Sequence, residues 1–126
     1  AWVDFTQGLD IRLMTAEKAY FIRQCKIKMI HFAWDNPEDA LTFEKLKEYR
    51  KAFSLPDYKC KVYVLANFNS THEQDLERVY RLRDIGYDPF VMVYEKWNAP
   101  KETKRLQRWC NNKIIFRAEQ DFAKYH

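Results

Sequence analysis

The stretch "IHFAWDNPED", residues 30–39, leaves an apolar run and meets an acid, an amide and a proline in direct succession. Ile30, Phe32 and Trp34 alternate with His31, Ala33 and Asp35, the two-residue period of a strand with distinct faces. Asn36 then suits a helix N-cap, Pro37 the first helical position, and Glu38 and Asp39 the positive end of a helix dipole. The stretch therefore reads as a strand turning straight into a helix. With Asn36 as the cap, two roles stay open for Asp35. It is a strand-end acid helping the next helix to start, or a group facing a ligand.

The same pattern occurs four times. Short β-rich runs, "WVDFT" (2–6), "IKMIHFAW" (27–34), "CKVYVLANF" (60–68) and "PFVMVY" (89–94), each precede a longer amphipathic segment, and their starts lie 25, 33 and 29 residues apart. The first helix is expected near Thr15, with Ala16, Ala19, Tyr20 and Cys25 inward. The second carries Leu41, Leu46, Tyr49 and Phe53 and ends at "SLPDY". The third opens with a capping box, Thr71 and Gln74 in "STHEQ", and closes at Gly86 in a left-handed conformation. The fourth, "KETKRLQRW", turns Leu106, Trp109 and Cys110 inward, and "IIFRAEQDFAKYH" adds a short apolar segment and a terminal helical turn.

Such alternation predicts an α/β fold with parallel strands joined by right-handed crossovers. Four units do not close a barrel, so an open sheet, a half barrel and the later part of a larger barrel are all compatible with it. At 126 residues, with 47% hydrophobic and 17% aromatic content, the chain has the length and apolar content of a single domain with a sizeable core. It begins at "AWVDF" without Met, as though a strand were already under way, and a piece of a longer protein is expected.

Composition narrows the function classes. The 22 basic and 18 acidic residues leave +4, a mixed surface rather than a polycation, so charge alone does not make nucleic acid an expected partner. Three cysteines, Cys25, Cys60 and Cys110, form no CxxC pair, and the odd count speaks for a reducing, cytoplasmic setting over a disulfide framework. No apolar run reaches the ~20 residues of a membrane span, and no membrane partner is expected. With glycine only at positions 8 and 86, neither GxGxxG nor a Walker-type loop exists.

In a parallel α/β sheet, ligands gather at the carboxyl ends of the strands. Those ends carry Gln7, Asp10 and Arg12; Trp34, Asp35 and Asn36; Asn67, Asn69 and Thr71; and Tyr94, Glu95, Lys96, Trp97 and Asn98. His31 shares the strand face of Asp35 and reads as a core histidine satisfied by a neighbour; His72 and His126 lie far off in sequence, so no histidine metal site is expected. Lys101, Lys104, Arg105, Arg108 and Lys113 surround Trp109, which fits either a nucleic-acid face or a solvated helix with Trp109 buried.

Taken together, the strand ends resemble the later part of the barrel of radical SAM enzymes, and the likeness runs through the whole chain. "FTQGLDIRLMT" is similar to that family's third strand, where a Gln and an Arg or Asp precede "L-L-T/D-E-x". "IHFAWDNPED" is similar to the fourth-strand "F-G-I-E-S" motif, with Asp35 on its Glu. "VYVLANFNSTHEQDL" is similar to the fifth-strand "G-L-P-G-E-T-x-E-D" motif, with Thr71 on its Thr and Asp75 on its Asp.

The resemblance implies that four β/α units form part of a TIM-like (β/α) barrel. Its parent enzyme would bind S-adenosylmethionine at the strand mouths, through Gln7, Asp10, Arg12, Asp35, Asn67 and Tyr94. With a [4Fe-4S] cluster it would form a 5'-deoxyadenosyl radical and abstract hydrogen from a substrate. The CxxxCxxC cluster loop is absent, as is the GGE-like segment, and "ANFN" replaces the fifth-strand glycines. The expected partner is thus an N-terminal region of the same protein holding the cluster, and the chain alone is expected to be inactive. Two alternatives are a non-catalytic half-barrel binding or assembly module, dimeric through its open sheet edges, and a small nucleic-acid-binding protein.

Overall fold

The computed structural model describes the backbone of residues 3–25 and 27–125, and the side chains of all of these except 3–9, 27 and 28. Trp2, expected to begin the first strand, and His126 lie outside the described residues. The order is β1 (Val3–Leu9), α1 (Ala16–Gln24), β2 (Ile27–Ala33), α2 (Ala40–Tyr49), β3 (Cys60–Ala66), α3 (His72–Asp84), β4 (Asp88–Val93), α4 (Lys101–Asn111) and α5 (Lys113–Ala118). Short 3-10 turns link several of them.

All pairings are parallel and the strands lie in the order β1-β2-β3-β4. The α/β expectation holds. Register explains which face is covered. Ile30 pairs with Cys60 and Phe32 with Val62; Val64 pairs with Val91. These residues, with Trp34 and Ala66, are sealed against the helices. One apolar cluster joins them to Ala19 and Ile22 of α1 and Phe43 and Leu46 of α2, and a second to Val79 of α3 and Leu106, Trp109 and Cys110 of α4. The helices therefore cover one face of the sheet.

The other face carries no helix among the described residues. On it His31 pairs with Lys61 and Ala33 with Tyr63, while Tyr63 pairs with Phe90 and Leu65 with Met92. His31, Tyr63 and Phe90 form an edge-to-face ladder with centroids 5.4 and 5.7 Å apart. The Tyr63 hydroxyl lies 3.2 Å from His31 Nδ1, which bears out the reading of this histidine as satisfied by a neighbour. At the amino end of the strands Asp88 bridges Lys61 at 2.8 Å and Lys113 at 2.7 Å, neutralising an otherwise buried carboxylate.

Several helix signals act as expected. Thr15 caps α1, Thr71 and Gln74 complete the capping box of α3, and Gly86 has φ +94°. α1 turns Ala19 and Ile22 inward, while Ala16 and Tyr20 face solvent. On α2 Leu41 is exposed as well. The start of α2 departs from the sequence reading. Asn36 closes a turn by accepting the Glu38 N–H at 2.9 Å, and the cap is Asp39, which accepts both the Thr42 N–H at 3.1 Å and its hydroxyl at 2.6 Å. Two bonds to one carboxylate outweigh the single bond available to an Asn cap, so the helix begins three residues later.

Candidate functional site

The carboxyl ends of β1 and β2 open into a cavity of about 370 Å³ lined by Asp10, Arg12, Ala33, Asp35, Asn36, Asp39 and Thr42. Parallel pairing of adjacent strands places the loop after β1 beside the loop after β2, so residues 25 apart in sequence meet here. Asp10 caps the 3-10 turn Ile11–Leu13 and holds Arg12 through two side-chain bonds of 3.0 Å each. Those bonds hold the Asp10 carboxyl below its ordinary value and raise Arg12. Arg12 also approaches Asp39 at 3.9 Å.

Asp35 is different. Its carboxylate makes no hydrogen bond or ion pair among the described residues, and it is exposed on the cavity wall. Its main-chain carbonyl is fixed instead, by Arg78 Nη1 at 3.0 Å. The helix-capping role open to Asp35 in the sequence is taken by Asp39.

Beneath this mouth, Arg78 of α3 is a buried organiser. Nη1 donates to the Trp34 carbonyl at 2.7 Å and Nη2 to the Leu65 carbonyl at 3.0 Å and the Asp75 carboxylate at 2.5 Å. Asp75 accepts in turn from the Ser70 hydroxyl at 2.6 Å and the Asn67 N–H at 3.2 Å. Burial pulls the Arg78 pKa down, opposed by Asp75 and then Asp35. Thr71 and Asp75, the two residues matched to the fifth-strand motif, thus hold the helix and its entry loop. Sequence reasoning missed Arg78, because a lone arginine among charged helix residues reads as solvated; the i,i+3 Asp75–Arg78 spacing was the available signal.

A second group sits at the ends of β3 and β4. Asn67 Nδ2 donates to the Tyr94 carbonyl at 3.2 Å, and the Phe68 and Tyr94 rings meet edge to face at 4.8 Å. Asn67, Asn69 and Glu95 all have positive φ, 64°, 49° and 46°. Asn tolerates that conformation; for Glu it is a strained choice held by the surrounding turn.

The expected residues therefore divide. Asp10, Arg12 and Asp35 share one cavity, Asn67 and Tyr94 form a neighbouring cluster outside it, and the Gln7 side chain lies outside the described residues. Trp109 is sealed in the core, its Nε1 donating to the Glu119 carbonyl at 2.7 Å, which removes it as a stacking surface for a base. Burial pushes the Cys60 thiol up to about 11 and the Cys110 thiol up to about 12, so both are inert protonated thiols at neutral pH. No group of three His, Cys, Asp or Glu able to hold a metal ion occurs among the described residues, and none of their helices is long and apolar enough to cross a membrane. In comparison with known proteins, no family model, curated protein or solved structure matches this chain.

Proposed function

We propose that this chain forms the cofactor-facing wall of a radical SAM enzyme, its four β/α units being part of a TIM-like barrel. The observation that carries the reading is Asp35: a strand-end carboxylate with no hydrogen bond or ion pair among the described residues, on a polar cavity, at the position that resembles the family's fourth-strand acid. The strand order and the helix-free second face are what a barrel segment requires, since a barrel keeps its helices outside.

The donor set suits S-adenosylmethionine. Three carboxylates, Asp10, Asp35 and Asp39, against one cation, Arg12, make an acid-biased wall that favours an ammonium or sulfonium group and accepts bonds from sugar hydroxyls. The cavity volume lies within the ordinary range for small-ligand sites. When bound, the cofactor supplies hydrogen-atom abstraction. Asp35 and Asp10 would hold and orient it, Arg12 would fix Asp10, and Arg78 would keep the Trp34–Asp35 backbone in place. The [4Fe-4S] cluster does not fit this chain. Its cysteines have no cluster spacing and Cys60 and Cys110 are buried, so the ligands would come from another part of the protein.

The test is anaerobic purification of the complete reading frame that encodes this chain. Expected are bound iron and sulfide, release of 5'-deoxyadenosine from S-adenosylmethionine under reduction, and loss of cofactor affinity on Asp35→Ala. A reading frame with no CxxxCxxC, or one that leaves S-adenosylmethionine intact, overturns the proposal. A second reading, a half-barrel assembly module, is favoured by the helix-free face bearing Tyr63, Leu65, Phe90 and Met92. Under that reading the chain self-associates by sedimentation and Met92→Asp abolishes the association.

A further inference from the structure

A different part of the surface concentrates positive charge. Lys96, Lys101, Lys104, Arg105 and Arg108 line one groove of about 330 Å³ that runs from the turn after β4 along α4. None of the five takes part in an ion pair among the described residues, although eight ion pairs occur elsewhere in the described residues. Five cations with no ion-pair partner among the described residues thus line a single groove. Mutual repulsion within such a cluster is eased when an anion occupies it.

Glu102 is engaged by His72 of α3 at 3.4 Å, and Glu95 lies exposed in the strained turn with φ 46°. Arg105 is already anchored. Its guanidinium donates to the Tyr125 carbonyl and stacks over the Phe122 and Tyr125 rings at 5.3 and 5.8 Å. A cation fixed in this way loses little freedom on meeting a phosphate.

Next to Lys96, in the same 3-10 turn, stands Trp97. It is 82% exposed, and its indole makes no ring contact or hydrogen bond among the described residues. The other described tryptophans, Trp34 and Trp109, are sealed. A large flat ring left in solvent beside a row of cations is the pairing that single strands require: phosphates on the charges, an unstacked base on the ring. A duplex, whose bases are already stacked, would have no use for the ring. Phe68 and Tyr94, at the ends of β3 and β4, form a second exposed aromatic pair.

We infer that the groove along α4, together with the exposed Trp97 of the turn that supplies Lys96, is a binding site for single-stranded nucleic acid. The site is separate from the cavity at β1 and β2, and it stands whether or not that cavity takes a cofactor.

Fluorescence anisotropy with labelled oligouridylate and oligothymidylate of about 15 nucleotides tests it. Binding is expected at low salt, with log affinity falling against log salt by about 0.7 per phosphate contacted, a slope of about −3 for four or five contacts. Trp97→Ala should weaken binding about 5- to 150-fold, the range of one base–ring stack, while Trp97→Phe keeps most of it. Lys104→Glu with Arg108→Glu should abolish binding with an unchanged circular dichroism spectrum. No binding at low salt, equal binding by Trp97→Ala, or equal affinity for duplex DNA or polyglutamate overturns the inference. Preference between the two oligomers then says whether RNA or DNA is the ligand.

Discussion

Arg78 and Asp75 face each other at 2.5 Å with both side chains almost wholly removed from solvent, one helical turn apart on α3. The pair ties the ends of β2 and β3 together through the carbonyls of Trp34, Asp35 and Leu65. Removing one partner strands the other as a buried charge. Arg78→Ala or Asp75→Ala should each lower stability by about 3–5 kcal/mol in urea unfolding. The double change to Arg78→Met with Asp75→Leu should cost less than either, since no charge is left behind. A loss under about 1 kcal/mol for the single variants would mean that water reaches the pair.

Two acids of one cavity should separate by assay. Asp39→Ala removes the cap of α2 and should cost about 1 kcal/mol of stability. Asp35→Ala touches no hydrogen bond and should leave stability within about 0.5 kcal/mol, its effect appearing in ligand binding alone. Thermal unfolding of the two variants side by side decides this; equal destabilisation would return Asp35 to a structural role.

Gly86 sits at φ +94° with its carbonyl accepting from Arg50 Nε at 2.6 Å. A Cβ there would lie 3.1 Å from that same nitrogen. Gly86→Ala combines the left-handed penalty with a push on Arg50, which also holds Leu55 and Asp57, so a loss of about 1–2 kcal/mol or more is expected in denaturant unfolding. Asn at this position, more tolerant of positive φ, should recover part of it.

The buried thiols predict an alkaline limit. In the folded chain burial raises Cys60 from 9.0 to about 11 and Cys110 to about 12, so folding retains protons that the unfolded chain gives up. That contribution is fully present below about pH 9 and is lost as pH rises through the folded values. Stability measured across pH 8 to 11 should therefore fall at the upper end, and less steeply in Cys60→Ala with Cys110→Ala than in the parent. Iodoacetamide at pH 8 should modify half-buried Cys25 and spare the other two until the chain unfolds.

The strand and helix pattern was legible because each element carries its own period. Cys60, Val62, Val64 and Ala66 alternate on β3, and Leu106, Trp109 and Cys110 fall on one side of α4. The start of α2 was misread because Asn36 and Asp39 are both competent caps, and only geometry reveals that Asp39 has a threonine hydroxyl three residues on. The site was legible in part. Parallel order brings Asp10 and Asp35 together, whereas the left-handed turn at Asn67 and the carbonyl bond to Tyr94 form a cluster apart. Arg78 was invisible because burial of a cation depends here on carbonyl acceptors contributed by two distant segments, the ends of β2 and β3, besides Asp75 on its own helix. Trp97 and Trp109, both beside lysines and arginines, end at opposite extremes of exposure, and helical phase separates them: Trp109 follows Leu106 by three residues, and Trp97 belongs to no helical stripe.

The order β1-β2-β3-β4 also bears on how the chain is built in time. Each strand adds beside the one just before it, so no pairing closes a loop longer than one strand-and-helix unit. The entropy of loop closure is then a similar modest step repeated, rather than one large search. During synthesis every new unit meets an edge that is already in place, and the sheet can grow in the direction of translation, like a row of planks laid one at a time.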